Sequence, residues 1–378
     1  MKFAVLKETL PQESRVVLVP ETIKTLIKKG HQVFVEKEAG VGSFVLDSDY
    51  ETAGATILND KKALLEQAQC ILRIHPPTLV ELDSFTNGRA LISLLYPFRN
   101  KELVDKLKEK KLTSFALELI PRISRAQGMD VLSSMSTVAG YKAVLLVTQY
   151  LSKFFPMLTT AAGTIRPAQG FIIGAGVAGL QAIATARRLG AIIEAFDTRP
   201  AVKEQVQSLG AKFVEHPQTA KLNTTELEDK SGYAKEQSKE FLEQEHMLIA
   251  EHTKQADFVI TTALIPGKKA PCLITEEMAL SMRPGSVIVD LAAEAGGNCQ
   301  LSKANEVVIK NHVTILAPTN LPATLPLDAS RMFSRNCGTF IQQISTDKDF
   351  TFNWDDEVFS ETCITVNGEL KNKRLLSL

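Results

Sequence analysis

Charge of either sign is not in excess in this chain. Its 43 basic residues balance 43 acidic ones, for a formal net charge of zero. That argues against a nucleic-acid patch or a polybasic membrane anchor. Paired cysteines are also lacking. Cys70, Cys272, Cys299, Cys337 and Cys363 are scattered, odd in number and without C-x-x-C spacing. Buried or inert thiols in a reducing compartment are expected, not disulfides or a zinc framework. There is no H-E-x-x-H and no clustered cysteine–histidine spacing, so no metal is expected. A G-x-S-x-G elbow and a Walker phosphate loop are absent as well. The six histidines are His31, His75, His216, His246, His252 and His312. None has a catalytic context, and His246 and His252 are expected to be solvated on a charged helix. Met1 leads straight into strand-like Phe3–Leu6, so no signal peptide is expected. No segment reads as a membrane span. The most apolar long window, Gly170 to Ala186, resolves into a strand, a glycine turn and a helix.

What is present is an ordinary globular composition, 44% hydrophobic and 23% charged, in 378 residues. The length suggests two or three domains. Short apolar runs alternate with helical stretches throughout. Ala4–Lys7, Val16–Val19, His31–Glu36, Cys70–Ile74, Ala90–Leu95 and Ser114–Leu119 read as extended. Pro20–Lys29, with Gly30 as its stop, and the charge-rich Lys101–Lys111 read as helices. A long helix is expected over about Ser136 to Phe155, and further strands at Lys212–Val214, Phe258–Thr262, Ser286–Asp290 and Val313–Leu316. Such alternation implies parallel sheets covered on both faces. The expected fold class is α/β, with two doubly wound parallel-sheet domains. Residues 1–134 and 320–378 form the first, discontinuous domain, and a Rossmann domain over 135–319 is inserted into it.

The most specific local signal is Gln169-Gly-Phe-Ile-Ile-Gly-Ala-Gly-Val-Ala-Gly-Leu180. An apolar strand runs into a Gly-x-Gly-x-x-Gly turn at Gly174, Gly176 and Gly179, then into a helix. A second strand, Ile192–Phe196, ends in Asp197. This unit suits a dinucleotide. The first glycine permits the tight turn, the second lets backbone approach a pyrophosphate, and the third lets helix and strand pack closely. The helix N-terminus faces the phosphates with free N–H groups and a positive dipole. A strand-end carboxylate accepts hydrogen bonds from the adenosine ribose and repels a 2′-phosphate, which favours NAD(H) over NADP(H). Arg199, two residues on, is read as pairing with the acid or with the pyrophosphate.

Two other segments stand out. Arg122-Ile-Ser-Arg-Ala-Gln-Gly-Met-Asp-Val-Leu-Ser-Ser134 concentrates Arg122, Ser124, Arg125, Gln127, Asp130, Ser133 and Ser134. One reading is capping of the following helix by Ser133 or Ser134, with Asp130 in a turn. The other is a polar cluster at a domain cleft that holds a carboxamide and its nicotinamide ring. His216–Tyr233 is polar and long. It reads either as a solvated loop or as a flap over the cofactor, with Tyr233 at its tip.

These residues carry a resemblance. Pro121–Gln127, Met129–Ser134, Gly174–Thr185, Gly232–Glu236, Thr261–Gly267, Asp290–Ala292 and Glu294–Asn298 resemble the NAD(H)-binding domain I, or alpha-1 subunit, of proton-translocating NAD(P) transhydrogenases, over nearly the whole chain. Alanine dehydrogenases share the fold, a Lys7-Glu8 and an Arg15-Val16 pattern, and are the alternative. Their catalytic lysine and histidine correspond to His75, in Arg73-Ile-His-Pro-Pro77, and to Tyr96, in Leu94-Leu-Tyr-Pro97. A substrate dehydrogenase needs an acid–base group beside its carbinol carbon. Hydride transfer between two nicotinamides needs none.

The resemblance implies that Arg122, Gln127, Asp130 and Ser133 hold the nicotinamide end of NAD(H). Val177, Ala178 and Gly179 would meet the pyrophosphate, and Asp197, Thr198 and Arg199 would surround the adenosine ribose. Gly232 and Tyr233 would belong to the flap, and Leu264 to the adenosine-side pocket. It further implies a homodimer, an NADP(H)-binding domain III on a partner subunit, and a membrane domain II that carries protons. With no span after residue 378, domain II is expected on a separate polypeptide. The chain would then be cytoplasmic, held at the inner face of the inner membrane through its partners.

Overall fold

The computed structural model describes residues 1–216, 238–264 and 269–377. The chain divides into two compact units, Met1–Met135 with Pro322–Leu378, and Ser136–Leu321. Both are α/β.

The first unit opens with six strands: β1 (Lys2–Val5), β2 (Gln32–Glu36), β3 (Thr56–Leu58), β4 (Cys70–Leu72), β5 (Ala90–Ser93) and β6 (Thr113–Ala116). The second contains a hairpin, β7 (Leu158–Thr160) and β8 (Gly163–Ile165), then β9 (Gln169–Ile173), β10 (Ile192–Phe196), β11 (Lys212–Val214), β12 (Phe258–Thr261), β13 (Val287–Asp290), β14 (Val307–Lys310) and β15 (Val313–Leu316). The chain then returns to the first unit with β16 (Cys363–Val366) and β17 (Glu369–Leu370).

The first sheet has the order β17-β16-β6-β5-β4-β1-β2-β3. Strands β1 to β6 pair in parallel, and β16 adds antiparallel to β6. The second sheet has the order β11-β10-β9-β12-β13-β15-β14, with only β14 antiparallel. Each parallel sheet thus starts in its middle, builds to one edge, then crosses back to build the other. This is the doubly wound pattern, with a crevice beyond the carboxyl ends of the two strands where the direction reverses. Those strands are β1 and β4 in the first unit, and β9 and β12 in the second. Central strands such as Cys70–Leu72, Ala90–Ser93 and Phe258–Thr261 are buried at every position. A parallel sheet covered on both faces requires such continuous burial.

Several expectations are corrected by long-range contacts. Val16–Val19 is buried but forms no strand and belongs to no sheet, and the chain bends at Val17. Its Val16 and Val19 amides donate to Ser330 Oγ at 3.0 Å and Ser334 Oγ at 2.9 Å, on helix Pro326–Ile344. Hydroxyls of a packed helix take the place of a neighbouring strand. The strand expected over Ser114–Leu119 stops at Ala116 and tightens into a 3₁₀ turn, Leu117–Leu119. The long helix begins five residues early and runs Val131–Tyr150. By length and composition this helix could cross a membrane, with mean hydropathy 1.4 over its most apolar window. Lys142 is its only charged residue. Its Ala143, Val144 and Val147 lie in the core of the second unit. His252 is not solvated. It stacks on Phe171 at 5.3 Å, and its Nδ1 lies 2.5 Å from Glu194 Oε2.

Candidate functional site

In the second unit the crevice is built by the glycine turn. Gly174 follows β9 with φ +93°, a left-handed conformation that a side chain resists. A Cβ there would lie 2.6 Å from Thr262 Oγ1, the hydroxyl that donates to Gly174 O at 2.9 Å. Gly179 is the close approach: a Cβ would sit 1.9 Å from Gly174 O. Gly176 differs, since a Cβ there would meet nothing within 4 Å. That open position caps helix Val177–Arg188, whose first turn carries no acid. The amides at its start are those that four-residue helix bonding leaves without partners. The cradle therefore fits a phosphate, with Val177 exposed and Ala178 half-buried at its rim.

Asp197 ends β10 and is 8% exposed. Its Oδ2 accepts from the Ala175 amide at 2.7 Å and from Arg199 Nη2 at 2.8 Å. Its Oδ1 accepts from the Arg199 amide and from Arg199 Nε, both at 2.9 Å. The acid thus ties the glycine turn to β10 and pairs with Arg199, as the sequence suggested for that arginine. Thr198 and Arg199 are half-buried, and Leu264 is exposed. Gly232 and Tyr233, with the rest of the proposed flap, lie outside the described residues.

In the first unit, Pro121, Arg122, Ile123, Gln127, Asp130 and Ser133 line a cavity of about 320 Å³. All four nicotinamide-end candidates are among these residues; Ser124, Arg125 and Ser134 are not. The fold positions this wall from far away in sequence. Arg125 forms a two-pronged ion pair with Asp356, at 3.0 and 2.9 Å, and Gln343 Nε2 donates to the same carboxylate at 2.9 Å. Asn336 Nδ2 donates to Gly128 O at 2.8 Å, and Ala126 and Met129 are buried beneath.

Asp130 itself precedes helix Val131–Tyr150 and caps it. Its Oδ1 accepts from the Ser133 amide at 2.8 Å and its Oδ2 from Ser133 Oγ at 2.6 Å. The capping assignment to Ser133 or Ser134 is corrected: the acid is the cap and the serine its third-residue partner. Capping and cavity lining are one arrangement, since the cap fixes the carboxylate that the cavity presents.

The crevice of the first sheet, beyond β1 and β4, is occupied by the protein's own charges. Glu8 accepts from the amides of Ile74 and His75, at 2.5 and 3.3 Å. Glu13 holds Arg15 through Nε at 2.8 Å and Nη2 at 2.6 Å, and its Oε2 lies 2.6 Å from His75 Nε2. Tyr96 has φ +49°, and its amide donates to Glu118. Burial pushes the Glu118 carboxyl up to about 7, although it also accepts from the Leu95 amide.

One buried acid was not singled out from the sequence. Helix Lys239–Gln255 turns Phe241, Glu245 and Ile249 inward, at 1%, 4% and 0% exposure. The four-residue spacing of Phe241, Glu245 and Ile249 was the available signal, since it puts an acid in the apolar stripe.

The sheet order, the glycine turn and the strand-end acid define a doubly wound α/β protein of the dinucleotide-binding class. The chain belongs to the alanine dehydrogenase/PNT family. Residues 4–139 match the model of that family's N-terminal domain, and residues 143–373 that of its C-terminal domain. It is 44% identical to the first part of the NAD(P) transhydrogenase alpha subunit of Rhodospirillum rubrum, over 99% of each chain. The alanine dehydrogenase of Staphylococcus saprophyticus is 30% identical, over 97% of this chain and 94% of its own. Among solved structures, a transhydrogenase from Sinorhizobium meliloti superposes with TM-score 0.85 at 39% identity, over 99% of this chain and all of that one.

Proposed function

We propose that this chain is the NAD(H)-binding subunit of a Re/Si-specific, proton-translocating NAD(P) transhydrogenase. The observation that carries the reading is the similarity along the entire chain to a transhydrogenase alpha subunit's first part, at 44% identity against 30% for an alanine dehydrogenase. The first unit supports it. A metabolite dehydrogenase needs a proton donor at its reacting carbon. Here His75 is engaged by Glu13, and the neighbouring candidate position is Tyr96.

When bound, NAD(H) supplies the hydride. The chain's residues bind and orient it. The amides of Val177, Ala178 and Gly179 hold the pyrophosphate. Asp197, Thr198 and Arg199 hold the adenosine ribose, with Leu264 against the adenosine. Arg122, Gln127, Asp130 and Ser133 fix the nicotinamide end. Transfer demands reacting carbons within about 3–3.5 Å in an aligned pose, so orientation is the principal task of those four side chains. NADP(H) sits on a partner domain III subunit. A separate membrane domain II subunit couples transfer to proton movement, and holds this chain at the cytoplasmic face of the inner membrane. Residues 1–134 with 320–378, and residues 135–319, are the two functional domains. A homodimer is the working form. Helix Val131–Tyr150 supports that assignment, because only 33% of its most apolar window is buried.

The test combines calorimetric titration of the purified chain with NADH and an assay of hydride transfer to NADP⁺. Tight NADH binding is expected, with transfer appearing only when the NADP(H)-binding subunit is added. Turnover of alanine or pyruvate by the chain alone would overturn the proposal in favour of an alanine dehydrogenase.

A further inference from the structure

The acid that ends β13 and the Gly296-Gly297-Asn298 turn after it have no duty in the reading above. Asp290 is fully buried. Its Oδ1 accepts from Thr261 Oγ1 at 3.1 Å and from the Ala292 amide at 2.9 Å. Its Oδ2 accepts from the amides of Asn298 and Cys299, at 2.7 and 2.9 Å, and from Ser302 Oγ at 2.6 Å. These donors replace the water that burial removes. The glycines allow the turn to wrap the carboxylate. Gly296 and Gly297 are left-handed, with φ +105° and +83°, and a Cβ on Gly297 would lie 2.9 Å from Asp290 Oδ2.

What the turn delivers is the side chain of Asn298, which is also fully buried. Its Nδ2 donates to Ala263 O at 2.9 Å and to Pro271 O at 2.8 Å. Among the described residues no donor reaches its Oδ1. A buried acceptor left unpaired is costly, so the use of this amide lies in its two donors. Ala263 is the partner that bears on the site. The pairing of β12 with its neighbours ends at Thr261. Just beyond it, Thr262 Oγ1 donates to Gly174 O at 2.9 Å, and a Cβ on Gly174 would lie 3.2 Å from the Ala263 nitrogen. Ala263 therefore abuts the phosphate turn, and Leu264, assigned to the adenosine side, is the next residue. Asn298 fixes this segment where the sheet no longer does.

We propose that Asn298 is a positioning residue of the dinucleotide site: held by Asp290, it fixes Ala263, and with it the wall on which pyrophosphate and adenosine settle. This rests on the NAD(H) reading of the second unit. It adds that the end of β13 sets up the wall formed after β12.

The experiment is a calorimetric titration of the full chain, well below its melting temperature, with NADH and with ADP-ribose, which lacks the nicotinamide. Asn298→Ala and Asn298→Leu both remove the two donors, and leucine retains the volume. Each is expected to weaken NADH and ADP-ribose alike, by roughly tenfold, because the ligand must then supply the ordering that two neutral hydrogen bonds now provide. Ser302→Ala takes one donor from Asp290 and leaves the Asn298 side chain its partners; it should lower Tm yet keep both Kd values within about twofold of the parent. Kd values within about twofold of the parent in Asn298→Leu would make the asparagine a packing group and overturn the proposal. So would an equal weakening by Ser302→Ala, the mark of general loosening, or a loss confined to NADH, which would place the effect at the nicotinamide end. Failure of the parent chain to bind NADH at all would instead remove the underlying NAD(H) reading.

Discussion

Replacing Asp130 by asparagine separates the two duties of this residue. As a cap, Asp130 needs only an oxygen for the Ser133 amide, now at 2.8 Å from Oδ1. Asparagine retains that oxygen and is as good a cap as aspartate. Its amide nitrogen then faces Ser133 Oγ, which can accept where it now donates to Oδ2 at 2.6 Å. The loss in stability should therefore stay within a few tenths of a kcal/mol, or about 1 °C in Tm for a domain of this size. Alanine removes the cap altogether and should cost about 1 kcal/mol, or roughly 2–4 °C. As an orienting group, the carboxylate gives the cavity a charged acceptor. A hydrogen bond to a charged group contributes about 1.5–3 kcal/mol. If that interaction is made mainly in the aligned pose, its loss slows transfer roughly 10- to 150-fold. NADH affinity should change by less than about threefold, because pyrophosphate and adenosine contacts remain. The assay is stopped-flow transfer from NADH to NADP⁺ in the complex reconstituted with its partner subunits, beside calorimetric NADH binding and thermal melts. Equal losses in affinity and rate would refute the orienting role. Equal melting losses for the asparagine and alanine variants would refute the capping geometry.

Three other predictions come from single distances or charges. Gly179→Ala drives a methyl group to within 1.9 Å of Gly174 O; it should abolish NADH binding and destabilise the second unit by several kcal/mol, and a normal NADH titration would contradict the tight approach. Arg125→Ala breaks the Asp356 pair that braces the cavity wall; transfer should slow about tenfold while melting shifts little, because the Arg125 side chain is 48% exposed, and an unchanged rate would remove its positioning role. Glu118 has a folded value of about 7 against an ordinary 4.5. The folded state therefore holds its proton more tightly than the unfolded chain. The contribution to stability is fully present below about pH 4.5, and is lost as pH rises through 7. Glu118→Gln should flatten that decline by up to about 3 kcal/mol, measured by urea unfolding at pH 5 and pH 8. Parallel pH profiles for the parent and variant chains would dismiss it.

The sequence by itself determined whatever is written within a few neighbouring residues. Buried strands such as Cys70–Leu72 and Phe258–Thr261 are continuous apolar runs. The left-handed turn at Gly174 and the close approach at Gly179 need residues without a Cβ. Asp197 follows its strand directly. Backbone conformation and burial period are local properties, so doubly wound sheets and the phosphate turn were legible. The tertiary structure alone decided contacts between distant residues. Val16–Val19 has the composition of a strand, but its amides go to hydroxyls more than 300 positions away, on Ser330 and Ser334. Arg125 looks like a ligand-binding cation until Asp356, 231 residues on, claims it. Asp130 and Ser133 were both visible, yet which one caps depended on where the helix starts. Hydrogen bonds and Coulomb forces act through space, and the chain order of such partners carries no periodic signal for a reader of the sequence to find.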